Sequence, residues 1–184
     1  MGKDKGTLFF KGQPLIQQVL NSLPPLDEII LVLRDEKQYQ TYQEIIDPCL
    51  GKLKVAFDRE KDQGPLVGML AGLSSIESDK ALLIPCDSPG INPRYVENML
   101  NYPLKGYDAL VPRWPDGRLE PLHAVYSKNK TILIIEEQLK SGVRDVKSIF
   151  PQMKVCYLDA ETLANGGDIF FNLNRPQDLE NLKK

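Results

Sequence analysis

The chain has a single histidine, only three cysteines and no long apolar run, and each scarcity removes a class of function. His123 cannot complete a zinc set with Cys49, Cys86 and Cys156, which are widely spaced and form no C-x-x-C pair. An odd, scattered cysteine set argues against a disulfide scaffold and for a reducing, cytoplasmic setting. The amino terminus, MGKDKGTLFFKG, is charged where a secretory signal needs an apolar stretch, and every apolar run falls far below the ~20 residues of a membrane span. A soluble protein is expected. An excess of one charge is missing too: 23 basic and 25 acidic residues are mixed along the sequence, for a net charge of -2. That balance gives no electrostatic footprint for nucleic acid or for an anionic membrane, which leaves small-molecule chemistry as the leading class.

What is present suffices for one domain over residues 1–184, with 42% hydrophobic residues to build a core. Apolar spacing predicts helices over 13–23, 36–46, 64–76, 93–100 and 128–139, a shorter one over 143–150, and a closing one over 176–182. Short, nearly all-apolar strands are predicted over 28–33, 53–57, 80–84 and 155–158. Alternating helix and apolar strand implies right-handed crossovers into a mainly parallel sheet covered on both faces, a three-layer α/β fold. An antiparallel excursion is expected where 108–112 and 119–126 flank the Asp116-Gly117 turn. A last short strand is expected over 169–173.

Ligands of parallel sheets sit beyond the carboxyl ends of the strands, so polar residues there are the first candidates. Two strands end in aspartate: 53–57 runs into Asp58, and ALLIPCDSPG carries Asp87 past the end of 80–84. Asp87 suits Mg²⁺, which takes one or two carboxylates plus substrate phosphates. The same pattern suits a turn former or a cap for the following helix, and the spacing leaves both open. Asp58 is open in the same way, since strand-ending aspartates are commonplace. Gly64 either lets backbone N–H groups approach a ligand or, with Gly68, Ala71 and Gly72, lets a helix pack close to the sheet. Lys5, on a glycine-containing loop, is either a triphosphate contact or part of a charged terminus. No complete G-x-G-x-x-G or Walker pattern is present. His123 alternates with apolar neighbours, which reads as a strand residue rather than a catalytic base.

Taken in order, the pieces resemble the molybdenum cofactor guanylyltransferase family of Rossmann-like nucleotidyltransferases. That family's opening loop is written L-A-G-G-x-S-x-R-M-G-x-D-K, and Met1-Gly2-Lys3-Asp4-Lys5 matches its last five positions. Further matches are Gly12-Gln13-Pro14-Leu15, Asp58, Gly64-Pro65-Leu66-Val67-Gly68, Pro85-Cys86-Asp87-Ser88-Pro89, Glu120-Pro121-Leu122-His123-Ala124-Val125-Tyr126 and Phe171-Asn172-Leu173-Asn174-Arg175-Pro176. They are collinear over nearly the whole chain.

The resemblance implies that GTP and molybdopterin cofactor are the partners, that Asp87 binds Mg²⁺ between the phosphates, that Lys5 contacts the triphosphate and that Asp58 contacts the nucleotide. It places Asn172 and Asn174 on the acceptor side, with 113–126 helping to shape the pterin pocket. Rival readings are a CTP-dependent or sugar-phosphate nucleotidyltransferase on the same scaffold, and a non-catalytic protein that binds a pterin or a partner. Two departures are visible. The strand ending at Leu33 lacks an asparagine found there in some members, leaving Arg34 as a substitute. The family's first strand and the L-A-G-G-x-S-x-R part of its loop are also absent, so the domain reads as amino-terminally truncated relative to the family, with Met1 falling on an internal Met of the motif. The missing strand is expected to be central, which exposes ladder groups on both neighbours and weakens nucleotide binding.

Overall fold

The computed structural model describes residues 4–46, 53–58 and 64–171. A 3-10 turn at Lys5–Thr7 leads into a small hairpin, β1 (Phe9–Phe10) and β2 (Gln13–Pro14), and then α1 (Leu15–Asn21). There follow β3 (Ile29–Leu33), α2 (Glu36–Gln43), β4 (Leu53–Phe57), α3 (Pro65–Ser75), β5 (Lys80–Leu82), α4 (Pro93–Asn101) and β6 (Ala109–Arg113). The described chain continues through β7 (Val125–Ser127), α5 (Lys128–Lys140), a 3-10 segment at Val146–Gln152, β8 (Val155–Asp159) and α6 (Ala160–Ala164).

Alternation along the strands decides which helices each face meets. Ala109 and Val111 of β6 and Tyr126 of β7 pack with Leu66, Met69 and Leu73 of α3 and Ile134 and Ile135 of α5. Their neighbours Leu110 and Val125 point to the other side, against Tyr95, Val96 and Met99 of α4. On β3, Leu33 joins Ile16 and Leu20 of α1 and Tyr42 of α2, with Ile29 and Leu31 beside them, whereas Ile30 belongs to the α3 side. Helices therefore cover both faces, in the three layers expected. Fully burying a Leu, Val or Phe side chain contributes roughly 1.5–3 kcal/mol, and Leu110, Tyr126, Ile135 and Met99 are completely covered.

Beyond the β1–β2 hairpin, the strands divide into two groups, β3 with β4, and β5-β7-β6-β8 in that spatial order. β3 and β4 are parallel over five residue pairs, Ile29–Leu53 to Leu33–Phe57. β6 and β8 are parallel as well, and β7 runs against both β5 and β6. The antiparallel excursion is thus one strand, β7, and it starts later than the expected 119–126. Only Leu119 forms a bridge, with Arg113; Pro121 has no N–H for a ladder, and His123 N–H turns back to the Glu120 carbonyl at 3.1 Å. The expected strand over 169–173 is not formed by its described residues, because Phe171 N–H closes a turn onto Asp168 at 3.0 Å. The helix expected over 176–182 lies outside the described residues.

Between β3 and β5 the hydrogen-bonded ladder is interrupted. An apolar slot of about 520 Å³ runs there, with Ile30 and Val32 on one wall, Ala81 and Leu83 on the other, α1 residues Val19 and Leu20 on one face, and Gly68 and Gly72 of α3 on the opposite face.

Candidate active site

Asp87 and Lys5 meet at the carboxyl edge of the sheet. β5 leads through Pro85 into a turn at Cys86 and Asp87, and the Lys5 ammonium donates to Asp87 Oδ2 at 3.1 Å. Asp87 is 8% exposed, so its charge is held in place by a cation rather than by bulk water. The cap of α4 is made by another residue: Asn92 accepts from Tyr95 N–H at 2.9 Å. Asp87 is therefore not the helix cap that its sequence context also allowed.

Lys5 is aimed by Asp4. The Asp4 carboxylate accepts from Gly6 N–H at 3.1 Å, from the Tyr42 hydroxyl at 2.8 Å and from the Gln38 amide, and it pairs with Arg34 at 3.7 Å. Apart from Gly6, these partners come from α2 and from the residue following β3. Gly6 is required by the same packing, because a Cβ there would lie 2.2 Å from the Tyr42 hydroxyl oxygen. Burial, then the nearby Cys86 and Asp4, push the Tyr42 phenol well above its usual range. The Cys86 thiol is pushed up to about 12, first by burial and then by the negative charges of Asp87 and Asp4. It stays protonated at neutral pH and is no nucleophile.

On the other side of Asp87, Ser88 is fully buried and its hydroxyl is hydrogen-bonded to His123 Nε2 at 3.0 Å. His123 Nδ1 faces Glu120 at 3.9 Å, while the Tyr95 hydroxyl donates to the His123 carbonyl. Phe170 lies edge-on to Tyr95, Trp114 and His123, with centroids 5.7, 5.6 and 5.3 Å apart, and Trp114 donates its indole N–H to Glu120 at 2.8 Å. His123 sits in the bend before β7 rather than in the strand itself. Burial lowers its pKa to about 4, so it is neutral at pH 7 and braces the Asp87 turn. Gly90 belongs to the same brace, since a Cβ there would come within 2.1 Å of the Asp168 carbonyl.

Asp58 follows β4 and donates its N–H to the Leu33 carbonyl at 2.7 Å, so it lies on the same carboxyl edge. Gly64 precedes α3 with φ +86°, a conformation that favours glycine; a Cβ there would lie 3.4 Å from the Arg144 carbonyl. Asn172 and Asn174 lie outside the described residues. Among the described residues no three His, Cys, Asp or Glu side chains converge as a metal cage. Asp4, Tyr42 and Ser88 were not singled out from the sequence. Their partners are 38 and 35 residues away, and no local pattern announces them.

A family model described as "MobA-like NTP transferase domain" matches residues 1–153. The chain belongs to this family. The "Probable molybdenum cofactor guanylyltransferase" of Methanothermobacter thermautotrophicus is 34% identical, over 97% of this chain and 90% of the relative. That of Methanosarcina mazei is 32% identical, over 97% of this chain and 82% of the relative. Among solved structures, "Molybdopterin-guanine dinucleotide biosynthesis protein A" from Archaeoglobus fulgidus superposes with a TM-score of 0.80 at 26% identity, covering 98% of this chain and 89% of that one. The MobA-like fold places Lys5, Asp58 and Asp87 on the edge where such sheets bind ligands. Among the described residues no helix is long and apolar enough to cross a membrane.

Two outcomes follow from this packing. Gly6→Ala, measured by urea unfolding, should cost about 1–3 kcal/mol, as overpacking does, and the loss should shrink in a Tyr42→Phe background, where the obstructing oxygen is gone. An equal loss in both backgrounds contradicts the contact. For His123, the folded pKa of about 4 lies below the unfolded value of 6.5. On acidification the unfolded chain takes up a proton that the folded chain refuses, so stability present above pH 6.5 is lost as pH falls from 6.5 towards 4, by at most ~1.4 kcal/mol per pH unit. In His123→Gln this part of the acid limb should flatten; an unchanged limb contradicts it.

Proposed function

We propose that this MobA-like nucleotidyltransferase moves GMP from GTP to molybdopterin cofactor and releases pyrophosphate. The observation that carries the reading is the Lys5–Asp87 pair, a cation and a mostly buried carboxylate held 3.1 Å apart on the ligand-binding edge of the sheet. The names of relatives 32% and 34% identical over nearly the full chain support the guanylyl group and this acceptor.

The chemistry is an in-line displacement. An oxygen of the molybdopterin phosphate forms a bond to the α-phosphorus of GTP, the bond from that phosphorus to the β-phosphate bridging oxygen breaks, and pyrophosphate leaves with the electron pair. No protein group becomes covalently attached, so positioning and charge neutralisation supply the rate. The Lys5 ammonium, anchored through Asp4, offsets charge on the triphosphate. Asp87 would provide one hard oxygen ligand for Mg²⁺, an ion that takes one or two carboxylates plus substrate phosphates. When bound, the ion supplies charge neutralisation at the phosphates. Asp58 contacts the nucleotide from the end of β4. Trp114, Glu120 and Phe170 form a polar and aromatic wall suited to the acceptor, and Asn172 and Asn174 belong to the acceptor side.

The test is pyrophosphate release with molybdopterin cofactor and either GTP or CTP. GTP should be preferred, and Asp87→Ala and Lys5→Ala should each lower turnover by about 10²–10³-fold, the cost of removing one preorganised charge-stabilising group, while circular dichroism shows the fold retained. Preference for CTP contradicts the substrate, and near-full turnover in Asp87→Ala contradicts the role of that residue.

A further inference from the structure

On the flank of Asp87 away from Lys5, one carboxylate is held inside an aromatic wall. The Glu120 side chain is 19% exposed, and its Oε1 accepts the Trp114 indole N–H at 2.8 Å. Its other oxygen, Oε2, faces His123 Nδ1 at 3.9 Å, beyond hydrogen-bond length. His123 is buried and neutral at pH 7, so the ring beside Glu120 brings no charge to offset it. A carboxylate oxygen has two lone pairs, and Glu120 can therefore accept from a ligand on both oxygens while it keeps the Trp114 bond. The neighbouring surface takes a flat group. The Arg118 guanidinium lies over the Trp114 indole, 5.3 Å from the ring centroid, and Phe170 meets the indole edge-on. Arg118 is 67% exposed and paired with Asp116 of the same turn, a weak surface contact that a larger buried ring displaces.

We propose that Glu120 is the specificity-determining residue for the acceptor. Its two oxygens accept the paired donors of a 2-amino-4-oxopyrimidine edge, the ring amide N–H and the exocyclic amino group, while the ring lies on Trp114. Two parallel charge-assisted hydrogen bonds fix both the identity and the orientation of that edge. The inference rests on the acceptor named in the proposed reaction and states by which edge its pterin is read. A guanine base carries the same edge, and placement decides between the two. Asp58 follows β4 and bonds to the end of β3, whereas Trp114 and Glu120 follow β6. Asp87 stands between these parts, with the Lys5 ammonium on one side and Ser88 and His123 on the other. The nucleotide and the acceptor thus reach Asp87 from opposite flanks, and Glu120 is on the flank away from Lys5.

Trp114 is the sole tryptophan, so its emission reports directly on this wall. The chain is titrated with free pterin and with lumazine, the same bicycle carrying oxygen in place of the 2-amino group, and guanosine is added as a competitor. Wild type should bind pterin at least about tenfold more tightly than lumazine, because the exchange sets an acceptor against the carboxylate where a donor stood. Glu120→Gln keeps an amide oxygen for the Trp114 N–H and presents one acceptor and one donor, the complement of the lumazine edge. The preference should therefore reverse in this variant, whereas a role in packing alone would lower both affinities together. Four results overturn the proposal: no quenching by either ring, equal affinities for the two rings in wild type, an unchanged preference in Glu120→Gln, or displacement of pterin by equimolar guanosine, which would assign the edge to the nucleotide. The titration contains no triphosphate and no magnesium. A preference for CTP in the turnover assay would leave its result standing, so failure of the guanylyl reading and failure of the Glu120 role are told apart.

Discussion

The Lys5 ammonium on the Asp87 carboxylate is the contact on which the site depends, because it joins the parts built on β3 and on β5, which are not ladder neighbours among the described residues. Lys5 belongs, through Asp4, to the part built on β3: Arg34, Gln38 and Tyr42 all hold the Asp4 carboxylate. Asp87 belongs to the part built on β5. Exposed ion pairs contribute little, about 0–1 kcal/mol. This one differs, since the Asp87 side chain is 12% exposed and the Lys5 side chain 35%. A hydrogen bond to a charged group is worth about 1.5–3 kcal/mol, and losing one partner leaves the other charge poorly solvated.

Around that contact the fold divides its work. Residues on the α3 and α5 side of β6 and β7 close one core, and residues on the α4 side close the other. They fix β5 and the turn carrying Asp87 from both faces. The neutral, buried His123 and fully buried Ser88 brace the turn from beneath. On the Lys5 side, Gly6, Gln38 and Tyr42 hold the Asp4 carboxylate, and the slot between β3 and β5 lies between this part and the larger core.

Much of this was legible in the sequence, for a physical reason. Hydrophobic periodicity is local, and it located β4 at 53–57 to the residue and α3 between Gly64 and Ile76, which are its two caps. Polar residues following apolar strands pointed to Asp58 and Asp87, and the structure places both on the carboxyl edge of the sheet. Lys5 stayed open between a triphosphate contact and a charged terminus until the resemblance assigned it to the triphosphate. The rest was hidden because it depends on long-range partners. Nothing near Asp4 in sequence points to Tyr42, and the burial that keeps His123 neutral comes from Tyr95 and Phe170. Periodicity also extended the strand before Val125 too far, because alternation persists through 119–124 while Pro121 removes a ladder donor.

The most direct measurement is a double-mutant cycle on Lys5 and Asp87, using Lys5→Ala, Asp87→Ala and the double variant, with unfolding free energies from urea titration. A clamp between the two parts of the sheet predicts that the second substitution costs about 1–3 kcal/mol less once the first has been made. Losses that add to within about 0.5 kcal/mol would contradict it and would leave Lys5 and Asp87 as neighbours without a shared role in holding the site together.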